Sequence, residues 1–243
     1  MNEIYLITGA MSDIAIQFIQ ILGKTSKEIM IIAIDKNEFD KKQFAVYENI
    51  QVKSFCCDLS KADEIRYITA QLKEQSLVPT HILHFAALKY EYASAKEFDY
   101  ERTSLDFSIQ VLSIMELCKS ILPAMKKQKY GKIVFMISSV TEGVPPKKVC
   151  QYATVKYALL GLMRSLASEY QQKNIGICGF SPDMVKTKFL SEIDPRVVEL
   201  NAMSGALVLE PEEAARKISD ILQKSCDEIN GKNYSVGTIE KNE

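Results

Sequence analysis

The sequence predicts an α/β protein, a doubly wound parallel sheet forming one domain over residues 1–243. Three observations carry this expectation. Apolar runs of strand length alternate with amphipathic helical stretches from one end of the chain to the other. The run at 29–34 (IMIIAI) is continuously apolar, the pattern of a strand covered on both faces. The first strand passes through Thr8 and Gly9 directly into a helix, the connection that opens a nucleotide-binding β-α-β unit.

The elements follow in order. Residues 3–8 read as a strand and 13–23 as a helix with Ile14, Phe18, Ile21 and Leu22 on one face. The strand at 29–34 is followed by a polar helical stretch near 37–47, a short strand at 51–56, a helix at 61–75 and a strand at 81–86. Over 101–128, Leu105, Ile109, Leu112, Met115 and Leu122 recur at helical intervals, and Gly131 breaks the pattern. A buried strand at 132–137, a long amphipathic helix at 151–171 and a strand at 175–180 come next. Pro211, Glu212 and Glu213 mark the start of a helix that runs to about Lys224, because proline suits the first turn and acids suit its dipole. A strand at 232–236 closes the series. No linker, low-complexity segment or charge block divides the chain, so a single domain is expected.

Composition narrows the function classes. A formal net charge of −1 gives no electrostatic case for nucleic acid or an anionic membrane as a partner. No apolar run is long enough to span a bilayer. The six cysteines contain no C-x-x-C pair and have no histidine at ligand spacing, which argues against zinc and, with no signal-peptide pattern before Ile4, points to the cytoplasm. Cys56 and Cys57 read as small residues on alternate faces of a strand rather than as a redox pair.

Ligands of such sheets bind at the carboxyl ends of the strands, where a helix N-terminus attracts phosphate. Gly9, Met11, Ser12, Asp13 and Ile14 are therefore candidate cofactor contacts. The usual three-glycine fingerprint retains only Gly9, with Asp13 and Ala15 at the other positions. Asp13 is read as the helix N-cap. Asp35, at the end of the second strand, is placed to accept hydrogen bonds from ribose hydroxyls and to repel the extra phosphate of NADP, so NAD is the expected cofactor, with NADP possible because Lys36 follows.

Tyr152 and Lys156 lie one helical turn apart on one face, and Ser139 ends the preceding strand. A phenol ordinarily titrates near pH 10, and an adjacent ammonium stabilises its phenolate. Together with a hydroxyl that hydrogen-bonds the substrate oxygen, the pair would move a proton to or from a carbonyl while a nicotinamide moves hydride.

With these residues in place, the chain resembles the short-chain dehydrogenase/reductase family, whose domain is a Rossmann fold, from Ile4 to the terminal strand. The matching features include the Thr8-Gly9 turn, Asp58, Leu122-Pro123, Gly131-Lys132-Ile133-Val134, the Ser139/Tyr152/Lys156 set, Ser181-Pro182 with Thr187, and Asn230-Gly231. The resemblance implies Asp58 and Leu59 near the adenine, Ala86 beside the cofactor, and Pro182, Met184, Val185 and Thr187 around the nicotinamide. It also implies a substrate-covering segment at 187–210, pairing of the helices at 101–128 and 151–171 into a homodimer or homotetramer, and a small-molecule or acyl-thioester substrate. The pattern is nearest to 3-oxoacyl carrier-protein reductases, with a softer likeness to enzymes of glycan modification.

The departures are specific. His84-Phe85-Ala86-Ala87 and Pro182-Asp183 differ from the family's patterns at those positions. The residue whose main-chain carbonyl serves a proton relay falls on Gln110, or on Ser108 if the helix carries an insertion. One extra residue after Gly131 leaves Ser138 as the alternative to Ser139. His84 is read as a hydrogen-bonded strand-end residue, and Met184 and Phe189 as lining of the substrate cleft. The expected function is a nicotinamide-dependent oxidoreductase acting on a carbonyl or alcohol. The competing readings are a catalytically silent relative that binds nucleotide or a partner protein, and a scaffold subunit.

Overall fold

A seven-stranded, fully parallel sheet forms the centre of the computed structural model, which describes residues 3–190, 193, 196, 203 and 205–236. In chain order the elements are β1 (Glu3–Thr8), α1 (Asp13–Gly23), β2 (Ile29–Asp35), β3 (Ile50–Cys56), α2 (Ala62–Glu74), β4 (His81–His84), α3 (Tyr100–Phe107), a π-helical turn (Ser108–Leu112), α4 (Ser113–Gln128), β5 (Gly131–Met136) and α5 (Cys150–Glu169). Then come β6 (Ile175–Pro182), β7 (Met184–Val185), β8 (Val208–Leu209), α6 (Pro211–Gln223), α7 (Cys226–Ile229) and β9 (Asn233–Val236). The sheet order is β3-β2-β1-β4-β5-β6-β9. The chain winds outward from β1 to β3, then returns to lay β4 beside β1, so the crevice opens at the carboxyl ends of those two strands.

The alternation along β1 explains why the strands read as apolar on both faces. Tyr5 and Ile7 pack with Phe18 of α1 and Ile218 of α6 on one side, while Leu6 packs with Ile65 of α2, Ile114 of α4 and Leu159 of α5 on the other. Phe18, Phe135 and Phe180 are fully buried, each contributing roughly 1.5–3 kcal/mol of hydrophobic stabilisation. At α6, Glu210 and Glu213 form a reciprocal capping box around Pro211.

The fold departs from the sequence reading in three places. The polar stretch near 37–47 forms only a 3-10 turn at Lys41–Phe44, since Phe39 and Phe44 are its only buried side chains and stack on each other at 5.5 Å. The helix expected over 101–128 is interrupted by the π-helical turn. A two-stranded parallel ladder pairs Met184 with Val208 and Val185 with Leu209, joining the stems of the segment between them. Within the expected substrate-covering segment at 187–210, residues 191, 192, 194, 195, 197–202 and 204 lie outside the described residues.

Candidate active site

At the carboxyl edge of the sheet lies a cleft of about 860 Å³. It extends from Asp35 and Asp58 past Gly9 and Ala86 to Tyr152 and Phe189. Met11, Ser12, Asp13, Ile14, Leu59, Ser139, Lys156, Pro182, Met184, Val185 and Thr187 line the same cleft, so residues spread over most of the chain converge there. Gln110 is buried and is not part of the lining.

The turn after β1 is shaped by close packing. Gly9 has φ +64°, and a Cβ there would sit 2.7 Å from the backbone nitrogen of Ala86. The helix that follows corrects one expectation: Ser12, not Asp13, is the N-cap. Ser12 has extended backbone angles and its hydroxyl accepts from Ala15 N at 3.3 Å, whereas Asp13 is already helical. The Asp13 carboxylate instead accepts from Lys188 N at 2.7 Å and lies 3.8 Å from the Lys188 ammonium. Asp35 is likewise fixed, accepting from Met11 N at 2.9 Å and Asn37 N at 3.0 Å. Asp58 accepts from both the Ser60 backbone and hydroxyl, which hold its carboxyl below the usual range.

Tyr152 and Lys156 are on the first turns of α5, facing the end of β5. Burial pushes the Tyr152 phenol up to about 12, and the neighbouring Ser138 hydroxyl opposes that rise. Ser138 is the buried serine of the Ser138-Ser139 pair, and its backbone is extended at the start of a one-turn 3-10 helix. Lys156 is buried, and desolvation brings its ammonium down to about 8. Its Nζ donates to Met136 O at 2.8 Å and lies 5.7 Å from the Tyr152 ring centroid.

Behind the pair, the π-helical turn places the Gln110 carbonyl 2.8 Å from His84 Nε2. A carbonyl only accepts, so Nε2 carries the proton and Nδ1 accepts from the Thr8 hydroxyl at 2.7 Å. His84 is thus a neutral bracket between β1 and the π-turn, consistent with burial lowering it to about 4. The Gln110 side chain donates Nε2 to Asp106 at 2.8 Å, leaving Oε1 buried without a donor among the described residues. An orphaned acceptor of this kind costs about 1–3 kcal/mol.

The sequence profile of the short chain dehydrogenase family matches residues 3–197. The chain belongs to that family. The short-chain dehydrogenase is 24% identical over 242 residues to dehydrogenase/reductase SDR family member 4 of Mus musculus, covering 97% of this chain and 86% of the relative. Its fold is similar to that of a 4-hydroxyisoleucine dehydrogenase complexed with NADH, at a TM-score of 0.83 and 22% identity, covering 97% of both chains. It is also similar to an L-sorbose reductase from Gluconobacter frateurii complexed with NADPH and L-sorbose, at a TM-score of 0.82 and 16% identity, covering 97% of this chain and 95% of the other. The protein is therefore an oxidoreductase of the dehydrogenase/reductase class.

In this short-chain dehydrogenase the far end of the cleft is aromatic. Tyr90 meets the Tyr152 ring edge-on at 4.9 Å, and Phe189 lies 6.2 Å from Tyr90 and 6.3 Å from Tyr152. Tyr90 N donates to Phe189 O at 3.2 Å, and Ala93 bridges to Val149, so the segment after β4 is tied to both flanks. Tyr90 carried no sequence signal, because it follows an atypical stretch and precedes no periodic element. The site fits a dinucleotide: the α1 N-terminus faces a cleft in which Asp13 is drawn aside to Lys188, and Asp35 stands at the opposite end from Lys156. No group of three or more potential metal ligands occurs among the described residues, and no helix among them is long and apolar enough to cross a membrane.

Proposed function

We propose that this short-chain dehydrogenase moves hydride between a nicotinamide cofactor, NAD in preference to NADP, and a carbonyl or alcohol substrate. The observation that carries the reading is the half-buried Tyr152 one turn from the buried Lys156 inside a cleft of dinucleotide size, with the buried Ser138 beside the phenol. When bound, the nicotinamide supplies the hydride in reduction and accepts it in oxidation. Tyr152 donates its phenolic proton to the substrate oxygen in reduction and takes it back in oxidation. Lys156 favours the phenolate left behind and holds the nicotinamide ribose. Ser138 donates a hydrogen bond to the substrate oxygen, a role its contact with Tyr152 supports over Ser139. Gln110 keeps one carbonyl lone pair beyond its bond from His84, which serves a relay water to Lys156.

Asp35 supports the NAD preference, since a fixed carboxylate accepts from ribose hydroxyls and opposes a 2′-phosphate. Thr187, Met184 and Val185 would contact the nicotinamide half, and Asp58 and Leu59 the adenine half. The wall of Tyr90 and Phe189 supports a small-molecule substrate carrying an apolar group, with 3-oxoacyl thioesters ahead of unmodified sugars or glycan intermediates. A second copy of the chain is the proposed partner: Leu105, Leu112 and Met115 are between 42 and 50% exposed along α3, the π-turn and α4. Residence in the cytoplasm accords with six free cysteines.

The test is oxidation of NADH with a panel of acetoacetyl thioesters, ketones and sugars. Turnover that disappears in Tyr152→Phe supports the reading. Binding of NADH without turnover of any member supports a silent relative.

A further inference from the structure

Asp13 stands at a position of the glycine fingerprint, and its side chain reaches across the cleft. Its Oδ2 accepts from Lys188 N at 2.7 Å, and its Oδ1 lies 3.8 Å from the Lys188 ammonium. The two residues are 175 positions apart, one opening α1 and the other opening the 3-10 turn Lys188–Leu190 after β7. Both line the cleft. The end of α1 keeps spare donors beside them. Ser12 N is bound to Gly9 O and Ala15 N to the Ser12 hydroxyl, while Asp13 N and Ile14 N have no acceptor among the described residues. A phosphate drawn to those amides comes beside a carboxylate, which repels it.

We infer that Lys188 is a cofactor-binding residue, the counter-charge that lets a diphosphate bind beside Asp13. The inference rests on the reading of the cleft as a dinucleotide site. Asp13 is held by Lys188 N, a main-chain donor, so its negative charge stays at the phosphate end of the cleft. The Lys188 ammonium faces that same carboxylate, on a side chain 85% exposed against 24% for Asp13. An ammonium has three donors on a flexible stem, so it can bridge Asp13 and a phosphate oxygen together. Nearby cations are engaged elsewhere: Lys156 by Met136 O, Arg102 by Glu91 and Lys186 by Glu210. Without the Lys188 charge, the fixed carboxylate would meet the diphosphate unbalanced. Because the ammonium is exposed, salt screens its effect, which is largest at low ionic strength.

The experiment measures binding of ADP and of adenosine by calorimetry at low ionic strength. It compares the native protein, Lys188→Met, and Lys188→Met combined with Asp13→Asn. Asn keeps an acceptor for Lys188 N and removes only the charge. ADP is expected to bind about 10-fold more weakly to Lys188→Met and to recover most of that loss in the double variant. Adenosine, which carries no phosphate, should bind all three alike. Asp13→Gly in place of Asp13→Asn gives the same recovery and covers the case in which the first double variant does not fold. Native affinity for ADP in Lys188→Met, a double variant no better than the single one, or an equal loss for adenosine overturns the inference. A native protein that binds neither ADP nor NADH rejects the dinucleotide reading, and the inference with it. Because ADP has no nicotinamide, an absence of turnover would count against the proposed function while leaving this result intact.

Discussion

His84 Nε2 donates to the carbonyl of Gln110 across 2.8 Å, joining the end of β4 to the π-turn that interrupts the long helix. A π-turn displaces one residue from the helical ladder, and such turns recur at functional sites. Here the histidine accepts from Thr8 with its other nitrogen, so one neutral ring satisfies two buried polar groups on different elements. His84→Leu removes both bonds at similar volume. Unfolding in urea should show a loss of roughly 1–3 kcal/mol for each orphaned group. A midpoint equal to the native one would show that the ring is dispensable.

Acid stability should also depend on the histidines. Burial lowers His81 to about 3 and His84 to about 4, against an ordinary value near 6.5. Above pH 6.5 both are neutral whether the chain is folded or not, and their contribution is complete. As pH falls below that value, the unfolded chain takes up protons that the folded chain excludes, so stability drops until the folded values are reached. Thermal melts should be flat from pH 8 to about 7 and decline between about pH 6.5 and 4, with His84 alone worth roughly 3 kcal/mol. The decline should be shallower in His81→Phe.

The two serines make opposite predictions. Ser138→Ala should reduce kcat about 100- to 1000-fold, the usual effect of losing one hydrogen bond to a developing oxyanion. Ser139→Ala, whose hydroxyl has no bond to Tyr152, should stay within a few-fold of the native rate. Steady-state kinetics on any substrate from the panel decides between them, and a reversed order would return the role to Ser139.

The proposed preference for NAD rests on Asp35. Charge-assisted hydrogen bonds are worth about 1.5–3 kcal/mol, so Asp35→Ala should weaken NADH about 10- to 100-fold. NADPH, freed from a repulsive carboxylate, should weaken far less or gain. Fluorescence titration of both nucleotides against both proteins measures this directly. Tighter binding of NADPH than NADH by the native protein would reject the assignment.

Assembly is predicted through α4 and α5. Light scattering at micromolar concentration should report twice or four times the 27.4 kDa chain mass. Leu112→Glu, placed on the half-exposed apolar row, should lower it towards the monomer.

Much of this site was legible because its chemistry is local in sequence. Tyr152 and Lys156 are one turn apart on one helix, and the strand-to-helix passage at Thr8-Gly9 is contiguous. Periodicity located the long helices but not the π-turn, whose bonded partner, a histidine 26 residues away, makes no local pattern. The N-cap fell on Ser12 because Ser and Asp both suit that position and only the backbone angles separate them. Ser138 and Ser139 were ambiguous for a similar reason: both follow β5 and line the cleft, and with one extra residue after Gly131 counting along the chain does not choose between them. Tyr90 and Lys188 are the residues that tertiary structure alone supplies.

The short ladder between β7 and β8 gives the enzyme an interchangeable part. Met184 N donates to Leu207 O at 3.2 Å and Lys186 N to Leu209 O at 2.9 Å, so the chain departs from and returns to one hydrogen-bonded collar. Closing a loop on such a collar costs only about 0.6 kcal/mol more for each doubling of its length. Segments of other lengths and compositions could therefore be grafted between Lys188 and Ala206 with the cofactor floor left standing. Substrate preference could then drift, or be engineered, without rebuilding the hydride-transfer machinery beneath it.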